Sequence, residues 1–226
     1  MVPFLFHDAA LHLLGCGAAW WPEQETLLVA DLHLEKARFF AGTGQFLPPH
    51  DSYETALRLA ERVKQTGARR IICLGDSFHD GEGASHLEAR AGDVLRSLAT
   101  RAEWIWVTGN HDVSAVFPFG RAVAEVRLGG IDLRHEVDPA ATGPEISGHF
   151  HPKLRLQHRG RNLVRRCFLT DGTRLIIPAF GALTGGLDAR HPAIHAVLGG
   201  PVTALVPGEG RLMRFPVEPA LERCAS

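Results

Sequence analysis

Leu27-Leu28-Val29-Ala30-Asp31-Leu32-His33 sets four apolar residues directly before an aspartate and a histidine. The arrangement returns twice downstream. Ile71-Ile72-Cys73-Leu74 leads into Gly75-Asp76, and Trp104-Ile105-Trp106-Val107 leads, past Thr108, into Gly109-Asn110-His111-Asp112. Short apolar runs of this kind read as buried strands. Polar groups just past strand ends sit where open α/β sheets bind ligands. Between the runs the texture is helical. Tyr53, Ala56, Leu57, Ala60 and Val63 recur at spacings of three and four, with Asp51 or Ser52 as N-cap and Gly67 as stop. Leu87, Ala91, Val94, Leu95 and Leu98 repeat that signal over 85–99. Strand and helix therefore alternate, as in a βαβ layer.

Earlier runs at 11–14 and 18–21 read as further strands, and beyond residue 120 strands dominate: 123–128, 131–134, 163–169, 175–177, 194–198 and 212–217. Gly129-Gly130 and Asp171-Gly172 punctuate them as turns. A second sheet packed on the first would bury these runs. The expected architecture is an α/β/β/α sandwich, two packed mixed sheets flanked by helices, with the polar clusters where loops of both sheets meet. No shift in composition marks a linker, so residues 1–226 are read as one domain.

A chain with 45% apolar and 22% charged residues is ordinary globular material, and a net charge of −1 gives no global attraction for polyanions. Histidine, at thirteen, is the outlier. Cys16, Cys73, Cys167 and Cys224 show neither CxxC nor paired spacing, which argues against a structural zinc site or a disulfide framework, and Cys73 reads as a buried thiol. The N-terminus lacks a basic region ahead of its apolar residues, and no run of about 18 apolar residues suggests a membrane span. A cytoplasmic location is expected.

Two further clusters, His135 and Gly148-His149-Phe150-His151, complete the polar set. Together the clusters supply the carboxylates of Asp31 and Asp76, the carboxamide of Asn110, and the imidazoles of His33, His111, His135, His149 and His151. Oxygen and nitrogen donors without thiolates suit hard or borderline divalent ions. The set is too large for one tetrahedral ion and about right for two ions that share a ligand. At a strand end the i, i+2 spacing of Asp31 and His33, and of His149 and His151, puts each pair on one face. Phe150, between the latter two, is expected to enter the core.

The ordered set DxH, GD, GNHD, a lone histidine and GHxH resembles the calcineurin-like metallophosphoesterase superfamily. The resemblance implies a first ion held by Asp31, His33, Asp76 and His151. It implies a second held by Asp76, Asn110, His135 and His149, with Asp76 as the bridge. It also implies in-line attack on phosphorus by a hydroxide shared between the metals, and it identifies His111 as the catalytic general acid. Phosphoprotein phosphatases of this superfamily continue their second motif as GDxxDRG, whereas here the run is Gly75-Asp76-Ser77-Phe78-His79-Asp80-Gly81. That departure argues against a phosphoprotein phosphatase. His79 is read as a phosphate contact and Asp80 as its support.

Three further stretches, Ala30 with the following Asp31-Leu32-His33-Leu34-Glu35-Lys36, Gln45-Phe46-Leu47-Pro48 and Pro178-Ala179-Phe180-Gly181-Ala182-Leu183-Thr184-Gly185-Gly186, resemble the bacterial ligase-associated DNA damage response endonuclease and phosphodiesterase clade. This second resemblance implies Mn²⁺-dependent phosphodiester cleavage, single-stranded DNA as substrate, and functional association with DNA ligase and other repair enzymes. By donor chemistry Fe²⁺, Zn²⁺ and Ni²⁺ fit as well. Residues 152–170 carry Lys153, Arg155, Arg159, Arg161, Arg165 and Arg166 with no acid, a basic ribbon suited to a phosphate backbone. Substrate contacts are therefore assigned to Asn110, His79, Arg159 and Arg161. Two alternatives are a small-molecule phosphodiesterase or nucleotide pyrophosphatase, and a non-catalytic scaffold. The intact Asn110, His111, His149 and His151 oppose the scaffold.

Overall fold

A computed structural model describes residues 1–112 and 115–220, so Cys224 lies outside the described residues. Seven strands form a first sheet in chain order: β1 Val2–Phe6, β2 Ala9–Leu13, β3 Ala19–Trp21, β4 Thr26–Val29, β5 Arg70–Leu74, β6 Glu103–Val107 and β7 Arg121–Val123. The first four run antiparallel to one another, while β4, β5, β6 and β7 are parallel. Helices α1 Lys36–Gly42 and α2 Asp51–Thr66 connect β4 to β5, and α3 Ala89–Ala99 connects β5 to β6. The other strands are β8 Val126–Leu128, β9 Ile131–Leu133, β10 Glu145–Ser147, β11 Lys153–His158, β12 Arg161–Arg166, β13 Phe168–Thr170, β14 Arg174–Ile176, β15 Val202–Pro207 and β16 Leu212–Val217, with α4 Pro192–Val197 between β14 and β15. All but β11 and β12 form a second sheet ordered β16-β15-β13-β14-β10-β9-β8, whose centre, β14, β10 and β9, is parallel. β11 and β12 make a separate antiparallel hairpin.

The period-2 alternation of the strands decides what each face buries. Leu28, Ala30, Ile72, Leu74, Ile105 and Val107 meet Ile131, Leu133, Ile146, Phe168, Leu175 and Leu205 between the sheets. Their neighbours Leu27, Val29, Ile71, Cys73, Trp104 and Trp106 turn outward onto Ala56 and Leu59 of α2 and Ala91 and Leu95 of α3. Beyond the second sheet, Leu169, Ile176 and Ala204 pack on Ile194 of α4. Burying each large aliphatic side chain contributes about 1.5–3 kcal/mol, so both sheet faces are held, and the layers stack as α/β/β/α. Among the described residues no helix is long and apolar enough to cross a membrane.

Several local expectations change. Residues 194–198 lie in and just past a helix rather than a strand: Pro192 occupies its first turn, and the His191 ring accepts the Ala193 N–H at 3.2 Å as a cap. The run at 123–128 is cut by Ala124 and Glu125, where the chain passes from the first sheet to the second. Cys167 likewise divides 163–169 into β12 and β13. α2 does stop on Gly67 in left-handed backbone (φ 70°), but at its start His50 holds the cap position with no side-chain bond. Asp51 and Ser52 have another task. Ser52 Oγ accepts the Glu35 N–H at 2.7 Å and donates to Glu35 Oε1 at 2.8 Å, while Asp51 Oδ2 accepts the Ala37 N–H at 3.3 Å. They fasten the chain where it leaves the Asp31–His33 cluster.

Candidate metal centre

The parallel strands β4, β5 and β6 end at one edge of the first sheet, and β9 and β10 end beside them in the second. Past those ends the backbone is laced together. Asp31 N–H donates to the Gly75 carbonyl (3.1 Å), His33 N–H to that of Asp76 (3.0 Å) and Leu34 N–H to that of Ser77 (2.9 Å). Asp31, His33, Asp76, His149 and His151 all have positive φ, between 44° and 70°. Left-handed backbone at a non-glycine residue costs about 1–3 kcal/mol and persists only where its surroundings impose it. The i, i+2 pairs do converge, but through these turned residues beyond the strands rather than by strand alternation. Phe150 between them is buried, as expected.

Three groups of side chains bring potential ligand atoms within 4.8 Å of one another: Asp31 with His33 and His151, Asp76 with His135 and His149, and His33 with Asp76 and His111. His135 donates Nδ1–H to the Leu74 carbonyl at 3.0 Å. Its Nε2 is thereby left facing Asn110 Oδ1 at 3.0 Å, His149 Nδ1 at 3.1 Å and Asp76 Oδ2 at 3.5 Å. Across the centre, His33 Nε2 faces His151 Nε2 at 3.2 Å, and the latter lies 3.3 Å from Asp31 Oδ1. Asp31 and Asp76 are buried, yet among the described residues their ion-pair partners are histidines alone, with no lysine or arginine. Buried carboxylates need compensating charge. Lone-pair atoms gathered around two buried carboxylates fit divalent cations by position and by chemistry.

The electrostatics agree. Burial pushes the His135 imidazole down, but the hydrogen bond to Asp76 and the charges of Asp31 and Asp76 outweigh it and raise it to about 9. Burial pushes the Asp76 carboxyl up, and the His135 hydrogen bond and charge with the His111 N–H outweigh that, holding it below the carboxylate range. On the other side, burial and then the neighbouring His151 lower His33 to about 2. The field around Asp76 and His135 favours positive charge, while His33 is kept neutral.

His111 donates its backbone N–H to Asp76 Oδ1 (2.9 Å) and its Nδ1–H to the His79 carbonyl (2.9 Å), which leaves Nε2 as the other ring nitrogen. That Nε2 stands 3.9 Å from Asp76 Oδ2. The His79 ring stacks on His111 with centroids 5.5 Å apart and lies 3.3 Å from His33, so His79 is brought to the centre. Asp80 is drawn elsewhere, accepting two hydrogen bonds from Arg38 at 2.8 and 2.7 Å.

Sequence reasoning misses Asp112, and it singles out the loop 178–186 without its contacts. Asp112 accepts backbone N–H groups from Ser77, Phe78 and Gly109 at 3.1–3.2 Å, locking the loop after β5 to the loop after β6. The loop 178–186 fixes the Asp31 backbone: Phe180 N–H donates to Ala30 (2.8 Å) and Gly181 N–H to Asp31 (3.2 Å). Only the position of Asp112 beside Asn110 and His111 pointed to the first. Arg159 and Arg161 are not brought to the centre. They sit at the exposed tip of the β11–β12 hairpin, and Arg159 lies eight residues beyond His151, roughly 25 Å at about 3.3 Å per residue.

Comparisons with known proteins place this geometry in a family. The family model described as calcineurin-like phosphoesterase matches residues 25–177. The structure of the Pseudomonas putida nuclease MPE superposes with a TM-score of 0.74 at 30% identity, covering 94% of this chain and 98% of that one. A phosphoesterase from E. coli, YfcE, aligns at 15% identity with a TM-score of 0.42, covering 85% of this chain and 99% of that one. A cAMP/cGMP dual specificity phosphodiesterase of Mycobacterium tuberculosis is 25% identical over 188 residues. That match takes in 81% of this chain but 56% of the relative, so the chain spans little more than half of it.

Proposed function

The chain belongs to the calcineurin-like phosphoesterase family of metal-dependent phosphoester hydrolases, and from that premise we propose that it is a two-metal phosphodiesterase that cuts single-stranded DNA internally. The observation carrying this reading is the likeness to a nuclease over nearly the whole of both chains. Asp31, His33, Asp76 and His151 would hold one divalent ion, and Asp76, Asn110, His135 and His149 the other. Mn²⁺ is the proposed metal. The chemistry such ions supply is activation of water and neutralisation of phosphoryl charge.

The chain's own residues do the rest. Asn110 would offer its uncharged Oδ1 to the metal, and its Nδ2–H2 group is the donor for a phosphate oxygen. His111, its ring oriented by the His79 carbonyl, holds at Nε2 the proton that the leaving alkoxide takes up. His79 backs that ring and faces the phosphate. The unit acts as one domain in the cytoplasm, in DNA repair alongside DNA ligase and other repair enzymes.

Two experiments test this. Under Mn²⁺, circular single-stranded DNA should be opened and bis(p-nitrophenyl) phosphate hydrolysed faster than p-nitrophenyl phosphate, with EDTA abolishing both. Uncut circles, or a preference for the monoester, would overturn the reading. Separately, His111→Ala should lower DNA turnover about 10²-fold while bound metal stays constant by elemental analysis. Hydrolysis of bis(p-nitrophenyl) phosphate, whose leaving group needs no proton, should fall far less. Because His111 also groups with His33 and Asp76, loss of one metal equivalent would make it a ligand instead. A second reading, hydrolysis of a cyclic nucleotide, is favoured by the mycobacterial relative, and cAMP belongs in the same substrate panel.

A further inference from the structure

β11 and β12 pair so that Lys153 stands directly opposite Arg166. Opposed residues of an antiparallel pair project from the same face, and like charges placed that way repel. A nearby carboxylate would relieve the repulsion; Arg155, which stands opposite Val164, has such a partner in Asp188 at 3.2 Å. Among the described residues Lys153, Arg165 and Arg166 have no such partner within 4.0 Å. They reach backbone carbonyls instead: Lys153 that of Thr184 (3.1 Å), Arg165 that of Val164 (3.0 Å) and Arg166 that of Gly181 (2.8 Å). Each retains unused N–H donors.

These cations line an open groove of about 450 Å³, together with Gly15, Val164, Val206 and Pro207, and no acidic side chain lines it. Two connections link residues of the groove to the metal centre. Lys153 lies two residues beyond His151, about 7 Å of chain. The loop that Lys153 and Arg166 grip, through Thr184 and Gly181, is the one whose Gly181 N–H holds the Asp31 carbonyl. Along the chain the hairpin tip carrying Arg159 and Arg161 lies further from His151 than the base carrying Lys153.

We propose that the groove lined by Lys153, Arg165 and Arg166 is a second phosphate subsite, which holds the backbone of a single-stranded nucleic acid next to the bond being cleaved. The inference rests on the phosphodiesterase reading and narrows its substrate class. A diester with one phosphate engages the metal centre alone. A polynucleotide engages both, and its neighbouring phosphates supply the negative charge that the opposed Lys153 and Arg166 lack.

The test uses the metal-loaded enzyme carrying Lys153→Gln and Arg165→Gln together, with Arg166 kept because it supports Gly181. Unchanged melting temperature and metal content confirm the fold. The expected result is that kcat/KM on a single-stranded oligonucleotide falls about tenfold more than kcat/KM on bis(p-nitrophenyl) phosphate. The slope of log KM against log salt should also flatten by about 1.4, given roughly 0.7 per phosphate contact on a single strand. If wild type cleaves the oligonucleotide and the double variant matches it in both ratio and slope, the subsite is refuted and the nuclease reading survives. If wild type hydrolyses bis(p-nitrophenyl) phosphate or cAMP but not the oligonucleotide, the nuclease reading falls and takes the subsite with it.

Discussion

Asp76→Asn is expected to abolish activity, lowering turnover of any diester by at least about 10³-fold, on the order of 4 kcal/mol of barrier, and to release bound metal. Asp76 joins two of the three ligand groups, and its Oδ2 lies 3.5 Å from His135 and 3.9 Å from both His33 and His111. Asparagine keeps the shape but loses the charge, and its amide hydrogens oppose a cation. The same change has a signature in the metal-free protein. His135 has a folded value raised to about 9 through Asp76 and Asp31 against the effect of burial. A raised value stabilises the fold fully below the ordinary value of about 6.5, and that stability is lost as pH climbs through about 9. Stripped wild type should therefore weaken between pH 6.5 and 9, and Asp76→Asn should flatten that slope. Denaturant melts at several pH values, with NMR titration of the His135 ring, read this directly. A variant that keeps two metal equivalents would remove Asp76 from the bridge.

The clusters that Asp76 joins were legible because each follows an apolar run, and burial of that run decides where its strand ends. Leu27 to Ala30 and Ile71 to Leu74 needed no tertiary knowledge to be read as core. The helix at Pro192–Val197 was not legible in the same way, since Ile194, Ala196 and Val197 are as apolar as a strand. There the choice was made by Pro192 and the His191 cap. The contribution of Lys153 and Arg166 was hidden for another reason. Twelve residues lie between them, and only the hairpin register sets one against the other. A composition argument finds the ribbon of positive charge and cannot say which end meets the site. The left-handed backbone at Asp31, His33, Asp76, His149 and His151 is also invisible in one sequence, because none of these residue types demands it. It is imposed by the lacing of loops from two sheets. Stability is thereby spent to aim these side chains, as is common where backbone carries strain at functional sites.

Gly75→Ala should separate the two halves of the centre. Gly75 has φ +75°, and a Cβ there would collide with Nδ1, Cγ and Cβ of His135. The ring lies against bare backbone so that Nδ1–H can reach the Leu74 carbonyl. An added methyl must push it off, breaking that bond and withdrawing Nε2 from Asn110 and Asp76. Left-handed backbone costs a non-glycine residue about 1–2 kcal/mol, and overpacking a filled site costs about 1–3 kcal/mol more. The sum lowers the melting temperature by roughly 4–20 °C at about 2–4 °C per kcal/mol for a chain of this size. Gly67→Ala is the control, because Gly67 has φ +70° with nothing within 4 Å of a new Cβ. It should carry the backbone cost alone and keep full activity. Against it, Gly75→Ala should lose the metal equivalent held by His135 and His149, retain the one held by Asp31, His33 and His151, and drop DNA cleavage at least about 10²-fold. Elemental analysis beside a melt measures both effects on one sample. Equal activity in the two variants would mean that His135 takes no part in the chemistry, and the second ion would then have to be sought among other side chains.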